Sequence, residues 1–286
     1  MRQFTIDETT AQKLLEGIDI PPAPQILQTI TEEKQKFYPD IKKISTLIAK
    51  DVALSAAMLR AANSPAFAIK QKITSIHSAV LNLGLDSALS LVTGLSLRAA
   101  VSGNSKVNLE KFWDGAADTA IICSILAKRL HVMGHDVAYN LALFHDVGIP
   151  LMMQKFPEYT ASFVKKNSKN PQESITALED KQFKTNHSVL GLMVSRSWGL
   201  PDNIRAAILM HHNAEVFQQA DSPAAQALAR QVGLLTLAEY LCHTLHKEGG
   251  DHMWLGFGNK IMGLFGLEEE NIKELVDEMT DVLGRL

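Results

Sequence analysis

Six side chains in the second half of the chain have the chemical types that bind a divalent metal ion. The stretch LFHDVGIP sets a histidine directly beside an aspartate, and NHSVLGL, AILMHH and LTLAEYLCH supply further imidazoles and a carboxylate. Imidazole and carboxylate groups that converge from several elements can hold a metal that activates water or polarises a phosphoryl oxygen. The candidate metal ligands are His145, Asp146, His187, His211, His212 and Glu239.

These side chains can meet only if the ends of helices bring them together. Adjacent residues do not share one face of a helix, so a neighbouring His-Asp pair binds one ion best where a helix ends or is distorted. Gly148 and Pro150, which follow the pair, could provide that distortion. The other histidines also fall at the ends of predicted helices, whereas Glu239 lies inside one. The alternative is structural, because a histidine at a helix end commonly satisfies the last backbone carbonyls.

Helical patterns recur along the chain and alternating strand patterns are scarce, which predicts an all-α fold. In the first half, Asp40, Asp51 and Asp86 are predicted N-caps and Gly84 is a predicted helix stop. A short helix is predicted over Ile76–Leu83. The helices predicted in the second half are Leu109–His131, Asp136–His145, a segment resuming after Pro150, Asn186–Trp198, Pro201–His212, Pro223–Lys247 and a last helix after the acidic run EEEN.

A polar break, VSGNSKVN at Val101–Asn108, divides the chain into two helical halves. We predict an N-terminal lobe over residues 1–105, a helical bundle over 106–248 and a helical extension over 249–286. The extension contains WLGFGNKIMGLFGL, a run of large apolar residues spaced by glycines. This run could cap the bundle, or it could form a patch that binds a partner or a second copy of the chain.

The composition predicts a cytoplasmic globular protein. Of its 286 residues, 46% are hydrophobic and 21% are charged, and the net charge of −3 gives no case for nucleic-acid binding. Cys123 and Cys242 lie in apolar stretches without a CxxC pattern, which disfavours a disulfide framework or a zinc ribbon. The polar start MRQFTIDETT lacks the apolar core of a signal peptide. Because polar residues interrupt the apolar stretch Ala79–Leu97, we predict two buried helices broken near Gly84 and no membrane span.

Several motifs occur in an order that resembles a known superfamily. HDVG, NHSVLGLMVSRSWGLPDNI and AILMHH resemble the HD superfamily of metal-dependent phosphohydrolases. IPPAPQIL, LIAKDVALSAAMLRAANSPAF, ITSIHSAVLNLGL and FWDGAADTA narrow the resemblance to the HDOD domain, an HD-related output domain of bacterial signalling proteins. The resemblance covers about residues 18–212. It implies a two-lobed helical HDOD fold, in which a smaller lobe packs on an HD-like helical bundle.

The metal pattern of the superfamily is present in this chain only in part. The positions that match it are His145, Asp146, His187, His211 and His212, with Glu239 in place of the closing aspartate. Gly115 of FWDGA stands where catalytic relatives carry a ligand histidine, and Ile149 stands where their HDxGK motif places a lysine. After the double histidine the chain reads NAEVFQ and lacks the GYP motif of relatives that hydrolyse cyclic dinucleotides. Since metal ligands and phosphate contacts stabilise the transition state, their loss predicts poor hydrolysis.

Six further residues of these motifs are predicted to be structural: Arg60, Asn63, Ser64, Gly84, Trp113 and Trp198. We expect Asn63 and Ser64 to end a helix through side chain to backbone hydrogen bonds, with Arg60 reaching a carboxylate between the lobes. Ligand binding by this trio is the alternative. Trp113 and Trp198 are expected to be core aromatics and not stacking platforms.

The function predicted from these observations is a non-catalytic signalling or regulatory module that acts through protein contacts. The alternative is a metal-dependent phosphohydrolase or phosphodiesterase that acts on a nucleotide or a related phosphoester. The expected cofactor is a divalent metal ion at His145 and Asp146, with Fe, Mn, Mg, Ni and Zn left open. A signalling protein is the expected partner and a nucleotide is an open candidate ligand. Neither a nucleic acid nor a membrane is expected as a partner, and the oligomeric state is not predicted.

Overall fold

The computed structural model describes residues 17–63, 71–103, 105–167, 173–218, 222–247 and 252–284, and every regular element within these ranges is helical. The all-α prediction is therefore confirmed. The α-helices, numbered in chain order, are α1 (Gln25–Lys34), α2 (Ile41–Ala49), α3 (Val52–Ala62), α4 (Ile76–Leu83), α5 (Leu85–Ser102), α6 (Glu110–Arg129), α7 (His135–Phe144), α8 (Gly148–Lys155), α9 (Ala161–Asn167), α10 (Ile175–Phe183), α11 (His187–Ser197), α12 (Asp202–Met210), α13 (Pro223–Leu245), α14 (His252–Phe265) and α15 (Glu269–Leu283). A 3₁₀ turn spans Ala214–Phe217. None of the described helices combines the length and the apolar character that crossing a bilayer requires.

Local signals determine where the first helices begin and end. Asp40 and Asp51 each accept a hydrogen bond of 2.9 Å from the backbone N–H three residues further on, as N-cap carboxylates do. Gly84 separates α4 from α5 with a φ of 78°, a conformation that favours glycine. The predicted cap at Asp86 is wrong, because α5 already begins at Leu85. Asp86 instead lies in the first turn, where a negative charge favours the helix dipole.

The side chain of Asn63 links the end of α3 to the segment that precedes α4 through hydrogen bonds. Asn63 donates Nδ2–H bonds to the carbonyl oxygens of Leu59 and Ile73, at 2.7 and 2.8 Å. Its Oδ1 accepts the backbone N–H of Ile73 at 2.7 Å. Arg60 is exposed on α3, and Ser64 lies outside the described residues.

Two hydrophobic clusters form the interior. The smaller cluster is built from α1 to α5 and their connections, and the larger one from the end of α5 onwards. The first half of α5 belongs to the smaller cluster and its last turns to the larger one, so this helix connects the two. Trp113 is 2% exposed and donates its Nε1–H to Ser102 Oγ at 2.8 Å. Trp198 packs against both clusters and donates its Nε1–H to the carbonyl of Pro21 at 2.9 Å.

The larger cluster is centred on α6, α7 and α13, which pack along one another, and α14 and α15 lie against α13. The indole of Trp254 on α14 stacks on the ring of Tyr240 on α13, with 4.0 Å between centroids and 11° between planes. Phe257, one helical turn further along, contacts Phe217. The glycine-spaced run therefore covers the bundle, although Leu255 keeps 62% of its surface exposed.

Four helices of the second half, α6, α8, α9 and α10, differ from the sequence predictions. Helix α8 begins at Gly148 and not after Pro150, because a proline in the first turn lacks only an N–H that the helix leaves unused. Helices α9 and α10 lie in a stretch for which no helix was predicted. Helix α6 ends at Arg129, two residues before the predicted end, and His131 adopts a positive φ of 51°.

Candidate metal centre

The six candidate ligands converge because most of them stand at helix ends. His145 caps the C-terminus of α7, Asp146 lies in the short connection to α8, and His187 is the first residue of α11. His211 caps the C-terminus of α12 and is followed directly by its histidine neighbour. Glu239 is the one ligand from a helix interior, on the buried side of α13.

Asp146 lies between two groups of donors. Its Oδ2 is 3.2 Å from His145 Nε2, which is also 3.2 Å from Glu239 Oε1. Its Oδ1 lies 3.4 Å from Nε2 of His187 and 3.3 Å from Nε2 of His211. In each group the ligand atoms lie within 4.8 Å of one another; the groups are His145, Asp146 and Glu239, and Asp146, His187, His211 and His212. One carboxylate is therefore shared by two clusters that could each hold a metal ion.

His212 joins the second group although it directly follows His211. The two rings lie 4.1 Å apart between centroids with a tilt of 41°, and the ring of His212 is 5.0 Å from that of His187. Since α12 ends at Met210, both histidines leave the helix and can point to one side.

Backbone carbonyls hold two of the buried imidazoles through their second nitrogen atoms. Nδ1 of His145 lies 2.5 Å from the carbonyl oxygen of Ala142, and Nδ1 of His211 lies 2.6 Å from that of Ile208. A carbonyl partner places the N–H on Nδ1 and leaves the Nε2 lone pair available for a metal ion. In both rings that Nε2 faces Asp146.

Glu179 holds the third buried imidazole, and sequence reasoning missed it. This fully buried carboxylate accepts the backbone N–H of His187 at 3.0 Å and contacts the Nδ1 of the same residue at 2.7 Å. The hydroxyl of Tyr159 donates to Glu179 in turn. Glu179 lies on α10, one of the helices without a prediction. The signal that could have revealed α10 is Ser174 before ITALEDKQF, because its side chain caps the helix.

The buried charges shift one another's pKa values. Burial alone would raise the pKa of Asp146, but the positive charge of His145 and the facing imidazoles hold it well below its usual value. Burial alone would lower the pKa of His145, whereas Asp146 and Glu239 together raise it well above its usual value. Burial and the neighbouring imidazoles hold the pKa of His212 well below its usual value. The carboxylates and the imidazole of His212 thus have the forms that bind metals, whereas His145 would have to release a proton from Nε2 when an ion binds.

This arrangement fits a divalent metal ion. Oδ1 of Asp146 is buried and accepts no hydrogen bond of acceptable geometry, although two imidazoles face it. A buried polar atom without a hydrogen bond is rare in folded proteins, and a bound ion would satisfy it. A donor set rich in imidazole suits transition metals better than Mg²⁺ or Ca²⁺, which prefer oxygen ligands.

Two positions linked to catalysis by the resemblance lack the expected side chain. A Cβ atom at Gly115 would meet no other atom within 4 Å apart from its own helix, so the space beside α6 is open there. The carbonyl oxygen of Gly115 lies 3.9 Å from Cys242 Sγ. Ile149 is 5% exposed in the larger hydrophobic cluster, where it contributes packing and no charge.

A pocket of about 440 Å³ opens beside the second donor group. His212 and Ser188 form part of its wall on the side of the centre, and Asp180 adds a carboxylate. The remaining described residues that line it are Ser174, Thr176, Ala177, Asn186, Leu209, Met210, Asn213, Ala214 and His252. Among these described residues there is no lysine or arginine, so the wall offers no fixed positive charge.

Comparison with known proteins places these features in a family. The sequence profile of the HDOD domain matches residues 20–214, which is more than half of the chain. The chain belongs to the HDOD family. An uncharacterized protein of Treponema pallidum (strain Nichols) is 24% identical over 200 residues, and the match covers 68% of this chain. The chain spans only 38% of the length of that relative.

Solved structures share the HDOD fold. A protein of Shewanella amazonensis SB2B, provisionally named a phosphohydrolase, gives a TM-score of 0.70 at 21% identity and covers 95% of this chain and 94% of its own. An HDOD domain protein of unknown function from Geobacter sulfurreducens gives a TM-score of 0.69 at 23% identity. The match covers 96% of this chain and 97% of that protein. A protein of Marinobacter aquaeolei VT8, provisionally named a signal transduction protein, gives a TM-score of 0.68 at 22% identity. The match covers 95% of this chain and 60% of that protein. At these identities the likeness concerns the fold, and the two-lobed HDOD fold is confirmed.

Proposed function

We propose that this chain is a metal-binding regulatory module on an HDOD scaffold, which transmits a signal through protein contacts and does not efficiently hydrolyse phosphoesters. The observation that carries the proposal is the pocket beside His212, whose described lining contains the carboxylate of Asp180 and neither lysine nor arginine. A phosphoester bound there would face a negative charge without a lysine or arginine to balance it. Catalysis of phosphoryl transfer depends on positive groups that stabilise developing negative charge.

Side chains near the centre support the same proposal. Ile149 immediately follows the HDVG motif and is packed into the core, so the start of α8 sends no ammonium group towards a substrate. Gly115 has no side chain at the position where the resemblance expects a ligand histidine, and a Cβ atom there would meet nothing within 4 Å outside its own helix. Two of the donors are deeply buried: His187 is fully buried and His211 is 1% exposed. Such a centre, with little positive charge nearby, suits a metal ion that stabilises a conformation. It suits less well a catalytic metal ion, which must bind and hydrolyse a large anionic substrate.

In this proposal, a bound metal ion controls the relative positions of the helices that supply its ligands. An ion in the first group would be held by Nε2 of His145 with Asp146 and Glu239, and an ion in the second by Asp146 with His187, His211 and His212. When bound, a divalent ion supplies Lewis acidity and can lower the pKa of coordinated water. The chain's own groups orient the imidazoles, through backbone carbonyls and Glu179, and exclude bulk water. The first group joins the end of α7 to α13 and the second joins the start of α11 to the end of α12, so an ion in either group would fix the relative positions of those helices.

A phosphohydrolase is the second candidate function. The observation that favours it is Asp146, whose two oxygens serve both donor groups and so allow two neighbouring ions. Paired ions a few ångströms apart are typical of enzymes that hydrolyse phosphoesters. The name of the Shewanella amazonensis neighbour agrees with this candidate, and the name of the Marinobacter aquaeolei neighbour agrees with a signalling role.

Metal analysis followed by a hydrolysis assay separates the two functions. The purified chain is loaded with Mn²⁺, Fe²⁺, Ni²⁺, Mg²⁺ or Zn²⁺ and assayed with bis(p-nitrophenyl) phosphate, cyclic di-GMP and guanosine polyphosphates. We expect bound metal without turnover, and turnover that is gained in a Gly115→His/Ile149→Lys double variant. Hydrolysis by the unmodified chain that disappears in both His145→Ala and Asp146→Ala would overturn the proposal. A chain that binds no ion from this series would also overturn it.

A further inference from the structure

A second set of metal-binding side chains lies between α6 and α13, apart from the six residues of the candidate centre. Asp118 lies on α6, Cys242 lies near the end of α13, and His246 caps that end. His246 Nε2 is 3.1 Å from Asp118 Oδ2. One ligand atom from each residue, the thiol sulfur included, lies within 4.8 Å of the other two.

The spacing and the chemistry of this trio suit a zinc-type ion. Cys242 and His246 are four residues apart, which places them on one face of α13 and turns both towards α6. Thiolate, imidazole and carboxylate are the ligands of Zn²⁺, and in a tetrahedral site at normal bond lengths their donor atoms are about 3.2 to 3.8 Å apart. The 3.1 Å pair is thus almost at the required separation, and the sulfur lies within 4.8 Å of both of its atoms.

The burial of two members of the trio favours a bound ion, and the exposure of the third gives the ion a route of entry. Cys242 is 2% exposed, and the Asp118 side chain is 22% exposed, so both donors are largely removed from water. His246 keeps half of its side-chain surface exposed and forms the outer edge of the trio. Burial also raises the pKa of Asp118, while His246 opposes that rise. A cation would compensate a carboxylate that water solvates poorly.

The trio is separate from the HD-type centre. No residue is common to the two sets, and Cys242 lies almost one helical turn beyond Glu239 on α13. Cys242 Sγ instead faces the carbonyl oxygen of Gly115, at 3.9 Å. The trio therefore lies beside the backbone of Gly115 on α6.

We propose that Asp118, Cys242 and His246 form a second metal site, which binds one thiophilic divalent ion of the Zn²⁺ type with solvent in the remaining position. The ion joins the end of α13 to α6. It thereby holds the helix that carries Glu239 against the helix that carries Gly115. The proposal does not depend on whether the HD-type centre is catalytic.

Cobalt substitution tests the site through the thiolate. Co²⁺ is added to the full chain, and the charge-transfer absorption between thiolate and Co²⁺ is recorded together with the metal content. We expect this absorption, and one ion per chain, to be lost in Cys242→Ser and His246→Gln. His145→Ala/Asp146→Ala should keep the absorption, because it disables only the other centre. Zn²⁺ should displace the Co²⁺ signal and raise the melting temperature of the unmodified chain more than that of His246→Gln.

Matched controls separate the trio from its neighbours. Cys123→Ala removes the other buried thiol, which lies near Glu239 and not in the trio, and His243→Gln removes an imidazole on α13 outside it. Both variants should keep the Co²⁺ absorption. Absorption that is lost in Cys123→Ala, or that is absent in the unmodified chain, would overturn the proposal. His246 is exposed, so His246→Gln keeps the test decisive if Cys242→Ser does not fold.

Discussion

Asp146 is the residue on which both donor groups depend, and its position in the chain explains how it reaches them. It directly follows the cap of α7, where the backbone leaves the helix, and its two oxygens face different imidazoles. Inside a regular helix, a neighbouring histidine would point to another side. The connection between α7 and α8 thus converts an adjacent pair in the sequence into two ligands of one centre.

Glu179→Gln should weaken metal binding without removing a ligand. The glutamine keeps the shape and an acceptor for the backbone N–H of His187, but it loses the charge that fixes the imidazole. Loss of such an orienting carboxylate typically lowers metal affinity by about 10- to 100-fold. Mn²⁺ titration by electron paramagnetic resonance measures the change. Glu173→Gln, which removes a surface partner of Lys181, is the control, and equal affinities in the two variants would contradict the role of Glu179.

Residue types indicated the candidate ligands that converge, but not the residues that orient them. His145, His187 and the double histidine could be selected because an unusual residue type recurs at predicted helix ends. Glu179 gave no such signal, since a glutamate in a helix is normally a solvated residue. Its role arises only when α10 packs against α11 and removes the carboxylate from water.

At the scale of the helices, Gly148 allows the close packing that brings two ligand-bearing segments together. A Cβ atom at this position would lie 2.0 Å from the carbonyl oxygen of His187, which is backbone and cannot move aside easily. Gly148→Ala should therefore separate α8 from α11 and lower the free energy of unfolding by about 1 to 3 kcal/mol, as overpacking does. Metal affinity should fall with it, because His187 starts α11. Denaturant unfolding and Mn²⁺ titration measure the two effects.

The matched control for Gly148→Ala is Gly263→Ala on α14. A Cβ atom there would meet nothing within 4 Å, so only the helical preference of alanine acts. That preference should raise the free energy of unfolding by about 0.5 to 1 kcal/mol. If both variants change stability in the same direction, the close approach at Gly148 is not the cause.

Local signals predicted helix ends well where one residue decides them, and poorly where several compete. Asp40, Asp51 and Gly84 act through their own side chain or φ angle, so their positions follow from the sequence. Asp86 did not become a cap because Gly84 already sets the start of α5. Pro150 favours a helix boundary because proline usually ends a helix, but proline is equally accepted in a first turn, where α8 has it.

The connection between α1 and α2 should be acid-sensitive through Glu33. Lys36 and Lys43 contact its carboxylate at 2.8 and 2.6 Å and lower the pKa of Glu33 from 4.5 to about 2. A depressed pKa stabilises the fold above the unfolded value, so this contribution is present above pH 4.5 and is lost as the pH falls towards about 2. Glu33→Gln should remove that part of the pH dependence of unfolding. Glu32→Gln, at an exposed position, should leave it unchanged.

At the scale of the whole molecule, two cores are joined by few elements. Helix α5 contributes to both clusters, and the side chain of Trp198 packs against both. The polar break at Val101–Asn108 predicts two helical lobes, and the two clusters meet within α5, because one long helix can serve two cores in succession. Composition alone could not reveal this sharing, since it depends on which faces of α5 the other helices cover.

Trp198→Ala should therefore loosen the attachment of the smaller cluster to the bundle. It removes the contact with Phe144 and the hydrogen bond to Pro21, and we expect a loss of about 3 kcal/mol in the free energy of unfolding. Trp198→Phe keeps the ring but not the hydrogen bond, and should cost about 1 kcal/mol. The substitution should then accelerate amide hydrogen exchange more in α2 to α4 than in α6, because the smaller cluster loses a point of attachment to the larger one.

Trp254→Ala provides the comparison that assigns this effect to the junction between the clusters. Trp254 is also a large aromatic side chain, but it packs against the larger cluster and stacks on Tyr240, far along the chain from the smaller lobe. Its removal should destabilise the bundle and leave the exchange rates of α2 to α4 relative to α6 unchanged. Equal acceleration of α2 to α4 in both variants would mean that the smaller cluster follows the overall stability of the protein and that Trp198 has no special part in joining the two cores.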